Sequence, residues 1–252
     1  MKDGLSLKHY LGKVPLERAL SKLGIASRTQ ARKLILEGRV RVHGVLKKNP
    51  LYLVTPEKSK IIVDDLAVKK AKPIAMMFHK PKGLVTTRSD EKGRATIFSL
   101  IEHEGHLSAV GRLDMATTGL LILTNDTRFS NWLTDPKNEI PRIYLVSVRG
   151  EMTEEKIKKL EVGITEKEER LFANRVQIRK TSKRESHLTV ELSEGKNREI
   201  RRMFLALGHE VTKLKRISFG GLELGELEVG TSKVLSEKQL KKAFPKYSFS
   251  GF

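Results

Sequence analysis

Cysteine is absent from the sequence. That excludes disulfides, thiolate zinc sites and cysteine nucleophiles. No apolar run approaches the length needed to span a bilayer. Residues 1–13 lack arginine and the apolar core of a signal peptide, so a flexible leader is expected there and a cytoplasmic protein without membrane contact overall. His103 and His106 stand three apart, but no further ligand cluster accompanies them, and a catalytic zinc site needs about three protein ligands. No metal and no cofactor are therefore expected. Acidic residues are scarce beside basic ones, 30 against 49, leaving a net charge of +19 over 252 residues. Such an excess says little about fold and favours a polyanionic partner, nucleic acid before an anionic membrane. The length allows one large domain or two smaller ones, and no internal repeat divides it.

What is present centres on one run, Gly111-Arg112-Leu113-Asp114-Met115-Ala116-Thr117-Thr118-Gly119, followed by Leu120-Leu121-Ile122-Leu123-Thr124-Asn125-Asp126. The pattern predicts a turn, a strand buried on both faces, and a second turn. Asp114 sits at the entrance of the apolar strand with Arg112 two residues before it. A carboxylate kept ionised at the edge of a core needs a cation or several donors. Taken alone, an Asp that caps a turn is the plainer explanation.

Before this run, Pro15 opens a helix with Leu16, Ala19, Leu20 and Leu23 at helical spacing, and Gly24 stops it. Ser27 caps a second helix with an Ala31, Leu34 and Ile35 stripe that ends at Gly38. Arg39-Val40-Arg41-Val42-His43-Gly44-Val45 alternates like a strand entering a tight turn. Basic residues dominate here, among them Arg28, Arg32, Lys33, Arg39 and Arg41. Residues 64–73 are short, charged and end in Pro73, which marks a linker.

From Ile74 a strand is predicted, then a turn at Pro81-Lys82-Gly83, a polar loop over 88–94 and a helix capped by Thr96. Later strands fall at 140–148, 176–178, 188–192 and 211–219. Thr153 and Ser236 cap helices, and Arg179, Lys180, Lys183 and Arg184 make a basic hairpin tip. In Glu194-Gly195-Lys196-Asn197-Arg198-Glu199-Ile200-Arg201-Arg202-Met203-Phe204, residues Ile200, Met203, Phe204 and Leu207 form one buried helix stripe. Arg198 and Arg202 share the opposite face and Arg201 lies at its border. Without a regular β-α-β period, and with several short turns between strands, an antiparallel α+β domain is expected over 74–243, followed by a frayed tail over 244–252.

These motifs resemble those of the pseudouridine synthases that act on ribosomal RNA. The central run is similar to that family's second motif, Lys80-Pro81-Lys82-Gly83-Leu84-Val85-Thr86 to its first, and residues 14–63 to the αL-type RNA-binding motif. The resemblance implies a small αL-type RNA-binding domain joined to a mainly antiparallel, mixed-sheet catalytic domain. It implies Asp114 as the catalytic carboxylate and Tyr144 as the residue against the target base. It further implies that Arg201 pairs with Asp114 and that Arg112 holds the flipped-out arrangement. Arg198 and Arg202, one helical turn apart, are expected to grip phosphates, as are Arg28, Arg32, Lys33, Arg39 and Arg41 on the N-terminal module. The Asn-Arg-Glu/Gln-Ile/Val-Arg-Arg form at 197–202 looks like the large-subunit enzymes. A monomer acting on a hairpin or loop of large-subunit rRNA is thus expected, with small-subunit rRNA as the alternative. Three positions depart from the family pattern: His43 for Asn, Thr127 for Gly and Arg142 for Lys. Two other classes compete with this one. A non-catalytic RNA-binding protein would share the charge but not need the full set of site residues. A glycosidase would need two placed carboxylates, and no second one stands out near Asp114.

Overall fold

A computed structural model of the chain describes residues 12–56, 58–68, 71–88, 90–103, 105–249 and 252. The expected leader therefore lies, over residues 1–11, outside the described residues. Two compact units divide the chain between Pro73 and Ile74, with the segments 103–108 and 125–127 grouped with the first.

The first unit packs helices Leu16–Lys22 and Arg28–Leu36 over short strands. Its core gathers Leu16, Leu20, Ala31, Ile35, Val40 and Ile61, all buried. Ser27 starts the second helix with a reciprocal cap: its hydroxyl accepts from the Gln30 amide at 3.2 Å, and Gln30 Oε1 accepts from the Ser27 amide at 3.0 Å. Strands Val40–Val42 and Val45–Leu46 join through His43 and Gly44, both at positive φ (51° and 82°). A two-residue turn of this hand favours Asn-Gly, which explains why Asn is the commoner residue where His43 stands. The expected linker over 64–73 is corrected in its first half. Leu66–Ala67 is a strand paired with Ile61–Val63 through a turn at Asp64-Asp65. The charge of that turn conceals the pairing in the sequence.

In the second unit the strand order is Arg175–Thr181, Glu185–Leu192, Arg142–Arg149, Val211–Phe219, Thr118–Thr124, Ala75–Lys80, Ser232–Val234. All neighbours along this path are antiparallel except Val211–Phe219 beside Thr118–Thr124, which run parallel with Lys215 opposite Thr118 and Arg216 opposite Gly119. Helix Glu199–Ala206 follows the Glu185–Leu192 strand and buries Ile200, Met203 and Phe204. Two local expectations fail. Residues 97–100 form a 3-10 turn rather than a helix, and Thr96 makes no side-chain cap. The tail is packed rather than frayed: Phe244, Tyr247, Phe249 and Phe252 surround the Phe129 ring with centroids 5.5, 4.9, 5.2 and 5.6 Å away. Pro245, Lys246 and Gly251 make that segment look like a loose end, but its aromatics carry enough apolar area to hold it down.

Gly119 is where the parallel pair closes. It stands at φ +108°, and a Cβ there would lie 2.1 Å from the Arg216 carbonyl oxygen and 2.6 Å from its nitrogen. The main chains themselves touch, so no side chain fits. Gly119→Ala is expected to destabilise the protein by about 3 kcal/mol, read as a lowered urea midpoint at unchanged slope. An unaltered midpoint would show that the two strands separate freely.

Candidate active site

The loop that carries Asp114 is fastened through its backbone. The Lys80 side chain is fully buried, and its ammonium donates to the carbonyls of Pro81 at 3.0 Å, Asp114 at 3.1 Å and Thr117 at 3.0 Å. Three donors thus meet three acceptors. Burial pushes the amine down to about 8, partly countered by the Asp114 charge. From the same flank, the Gly83 amide donates to the Met115 carbonyl at 2.8 Å and the Thr86 hydroxyl to the Leu113 carbonyl at 2.7 Å. In sequence, Lys80 stands only as the first residue of the 80–86 motif around the Pro81-Lys82-Gly83 turn, and its grip on the Asp114 loop is not visible there. The available signal is a lysine closing a strand that is otherwise apolar enough to be wholly buried.

The Asp114 carboxylate meets helix Glu199–Ala206 at its N-terminal end. Arg198 Nη1 lies 3.1 Å from Asp114 Oδ2, and Arg201 Nε lies 3.9 Å from the same oxygen. The nearer cation is therefore Arg198, for which a phosphate contact is the sequence expectation. Arg198 precedes the helix in a left-handed conformation (φ 49°, ψ 32°), which turns its side chain toward Asp114 and away from the outer helix face. Arg201 is mostly buried and anchored by Nη1 to the Val211 carbonyl at 2.9 Å. Burial foremost, and then Arg198, lower its guanidinium from the usual value.

Tyr144 lies on strand Arg142–Arg149, buried, on the face it shares with Arg142. A bulge opposite Ile143 and Tyr144 leaves Ile217 as an extra residue on the neighbouring strand. It brings Arg216 opposite Tyr144 and Phe219 opposite Arg142. These side chains, with Arg112, Asp114, Arg198 and Arg201, line one cavity of about 400 Å³, a size usual for a small-molecule site. Arg112 is exposed at its rim.

A second carboxyl does occur here, against expectation. Glu199, only 3 % exposed, lines the cavity beside Glu194. Its Oε2 accepts from the Lys196 amide at 3.1 Å, while Oε1 has no donor. Burial and then a hydrogen bond with Glu194 push the Glu199 carboxyl up to about 7. A proton on Glu199 Oε1, favoured by the raised carboxyl, would let that otherwise orphaned oxygen donate.

The expected phosphate contacts divide sharply. Arg202 is turned from the cavity onto the hairpin of strands Ile164–Glu166 and Glu169–Leu171, where it pairs with Glu166 and with Glu169 at 2.6 Å. It holds that hairpin to the helix and has no fork left for RNA. Arg28 and Arg32 are exposed but converge on the buried Glu17 at 3.1 and 3.4 Å. Arg39 forms a bidentate pair with Asp64 at 2.6 Å, and Lys33 lies 3.8 Å from Glu37. Arg41 is exposed and makes no ion pair among the described residues.

Comparison with known proteins decides the family. Residues 74–206 match the family described as RNA pseudouridylate synthase, and residues 14–58 match the S4 domain. The chain is 35 % identical over 230 residues to a Bacillus subtilis protein named ribosomal large subunit pseudouridine synthase B, covering 90 % of this chain and 94 % of that one. The chain belongs to the ribosomal RNA pseudouridine synthase family. It is also 35 % identical to an uncharacterized RNA pseudouridine synthase of Aquifex aeolicus, over 92 % of this chain and 94 % of the relative. A crystal structure of a pseudouridylate synthase superposes with a TM-score of 0.64 at 27 % identity, covering 91 % of this chain and 99 % of that one. As a pseudouridine synthase the protein is an isomerase, and its S4 domain is an RNA-binding module.

The raised Glu199 carboxyl makes stability depend on pH. Glu199 keeps its proton to about pH 7 when folded, against an ordinary value of 4.5. Its stabilisation is therefore complete below about 4.5 and is lost as pH rises toward 7. Glu199→Gln preserves the neutral form at every pH. Its melting temperature, relative to the unmutated protein, is expected to rise by several degrees between pH 5 and pH 8. Parallel melting curves across that range would mean that folding does not raise the Glu199 carboxyl.

Proposed function

We propose that this pseudouridine synthase isomerises one uridine in a hairpin or loop of large-subunit rRNA, with Asp114 as the catalytic carboxylate. The observation that carries the reading is the Asp114 carboxylate itself. Its main chain is held by the buried Lys80, its Oδ2 is 3.1 Å from Arg198, and it opens on a cavity shared with Tyr144. Pseudouridine formation breaks the C1′–N1 bond and rejoins uracil through C5. It requires no redox step. A carboxylate suffices, by attacking C1′ or by removing a sugar proton. Either path needs the nucleotide extruded from its stack, with Tyr144 as the face that receives the base and Arg112 at the rim to hold the extruded arrangement. Arg198 and Arg201 hold the Asp114 carboxylate aimed into the cavity.

The N-terminal module supplies RNA affinity through phosphates and shape. The large-subunit assignment rests on the 197–202 sequence form and on the name of the Bacillus subtilis relative.

Asp114→Asn is expected to abolish tritium release from C5-labelled uridine in large-subunit rRNA, while RNA affinity and melting temperature stay nearly unchanged. Turnover near that of the unmutated protein would remove Asp114 from the reaction. Efficient single-site modification of purified small-subunit rRNA, with none in the large, would overturn the substrate and leave the enzyme class. The ion pairs sharpen a second expectation. Arg41→Gln should flatten the salt dependence of RNA binding by about one unit, whereas Arg202→Gln should not alter the slope. The reverse pattern in a salt titration would show that the Glu166 and Glu169 clamp opens onto RNA.

A further inference from the structure

Two arginines lining the cavity have no part in the isomerisation as proposed. Arg142 and Arg216 are 7 % and 3 % exposed. Neither makes an ion pair among the described residues. Arg142 instead donates Nη1 to the Ser193 carbonyl at 3.2 Å and Nη2 to the Leu133 carbonyl at 3.1 Å. Arg216 donates Nε to the Leu120 carbonyl at 2.7 Å, and its Nη2 has no acceptor. Both guanidinium carbons lie 4.9 Å from the centroid of the Phe219 ring. Burial lowers the Arg142 guanidinium foremost; Tyr144 works against that, Arg216 adds repulsion, and Glu199 contributes the least attraction. Glu199 itself is pushed up to about 7, so near neutrality it supplies only part of a negative charge.

Two like charges buried together, tied only to neutral carbonyls, are costly. Aromatic faces and main-chain carbonyls offset a part of that cost. What they lack is a full negative charge, and the cavity offers the place for one. A neutral uridine does not supply it. The same uracil does at the moment its glycosidic bond breaks.

We propose that Arg142 and Arg216 form a cationic floor that stabilises the uracil anion as it leaves C1′. The inference rests on the proposed isomerisation at this site. In the step, the electron pair of the C1′–N1 bond departs with N1 and spreads over the uracil carbonyl oxygens. The vacancy at C1′ is filled either by a bond from an Asp114 carboxylate oxygen or by the electron pair released when Asp114 takes the C2′ proton. Uracil leaves as a monoanion on both paths. After it turns, C5 bonds to C1′, the carboxylate or proton is returned, the C5 proton is lost and N1 is protonated. Charge that exists only during the detached stage rewards donors that are already in position. The backbone anchors of Arg142 and Arg216 provide that preorganisation.

The test compares glycosidic cleavage in single turnover on one RNA carrying uridine or 5-fluorouridine at the target. Fluorine makes the departing ring a better leaving group, so it should depend less on outside stabilisation. Arg216→Met is expected to slow cleavage of the uridine RNA about 100-fold, with RNA affinity kept within about twofold. The deficit should shrink to about 10-fold on 5-fluorouridine RNA. Arg142→Lys, which keeps the charge but not the fork, should show the same narrowing with a smaller deficit. It also serves if a methionine variant does not fold. A deficit equal on both RNAs, or a loss of RNA affinity that matches the loss of rate, would overturn the inference, the second marking a phosphate site. No cleavage of uridine RNA by the unmutated protein would instead overturn the proposed function, and this inference with it.

Discussion

The Lys80 ammonium sits out of water at the end of an apolar strand, with the carbonyls of Pro81, Asp114 and Thr117 as its acceptors. Desolvation works against it, as its depressed proton affinity shows. Three charge-assisted hydrogen bonds work for it, and each would leave a buried carbonyl unsatisfied if removed. The result is a loop whose backbone has no freedom to drift while its carboxylate stays at the edge of a cavity. Gly83 and Thr86 add two further ties from the same side. These ties make the position of Asp114 depend on the folded core.

The opposite wall depends on how closely two strands approach. Gly119 lets the Arg216 main chain come within reach of the central strand. The bulge at Ile217 then turns Arg216 and Phe219 toward the same cavity as Tyr144 and Arg142. A glycine, a bulge and a left-handed arginine before a helix are each small backbone irregularities. Together they gather charged side chains from four separate stretches of chain around one space.

Periodicity and end signals are the legible part of the fold. Ser27, Thr153 and Ser236 cap helices as their positions suggest, and the strand over 211–219 has the predicted ends. Pairing between distant residues is the illegible part. Nothing local to Arg202 reveals Glu166 and Glu169 across from it. Nothing local to Glu199 reveals an orphaned oxygen beside Glu194. The arginines of the N-terminal module look alike in sequence, yet Glu17 and Asp64 engage Arg28, Arg32 and Arg39 and leave Arg41 exposed. The family resemblance picks out Arg112, Asp114, Tyr144 and Arg201, which share the cavity, and passes over Arg142, Glu199 and Arg216, which also line it. It does not identify which arginine lies nearest to Asp114, because that depends on the backbone conformation at Arg198.

The parallel pairing of the 118–124 and 211–219 strands joins segments far apart in the chain. Contacts of that kind form late, after much chain entropy has been lost. During synthesis from the N-terminus, the S4 module can close on its own core well before the distant strand has emerged from the ribosome. Asp114 leaves the tunnel well before Arg198, Arg201 and Arg216, which lie far downstream of it in the chain. A nascent chain can therefore hold RNA-binding surface while lacking a formed cavity, and the capacity to modify RNA arises only once the strand over 211–219 has emerged and paired.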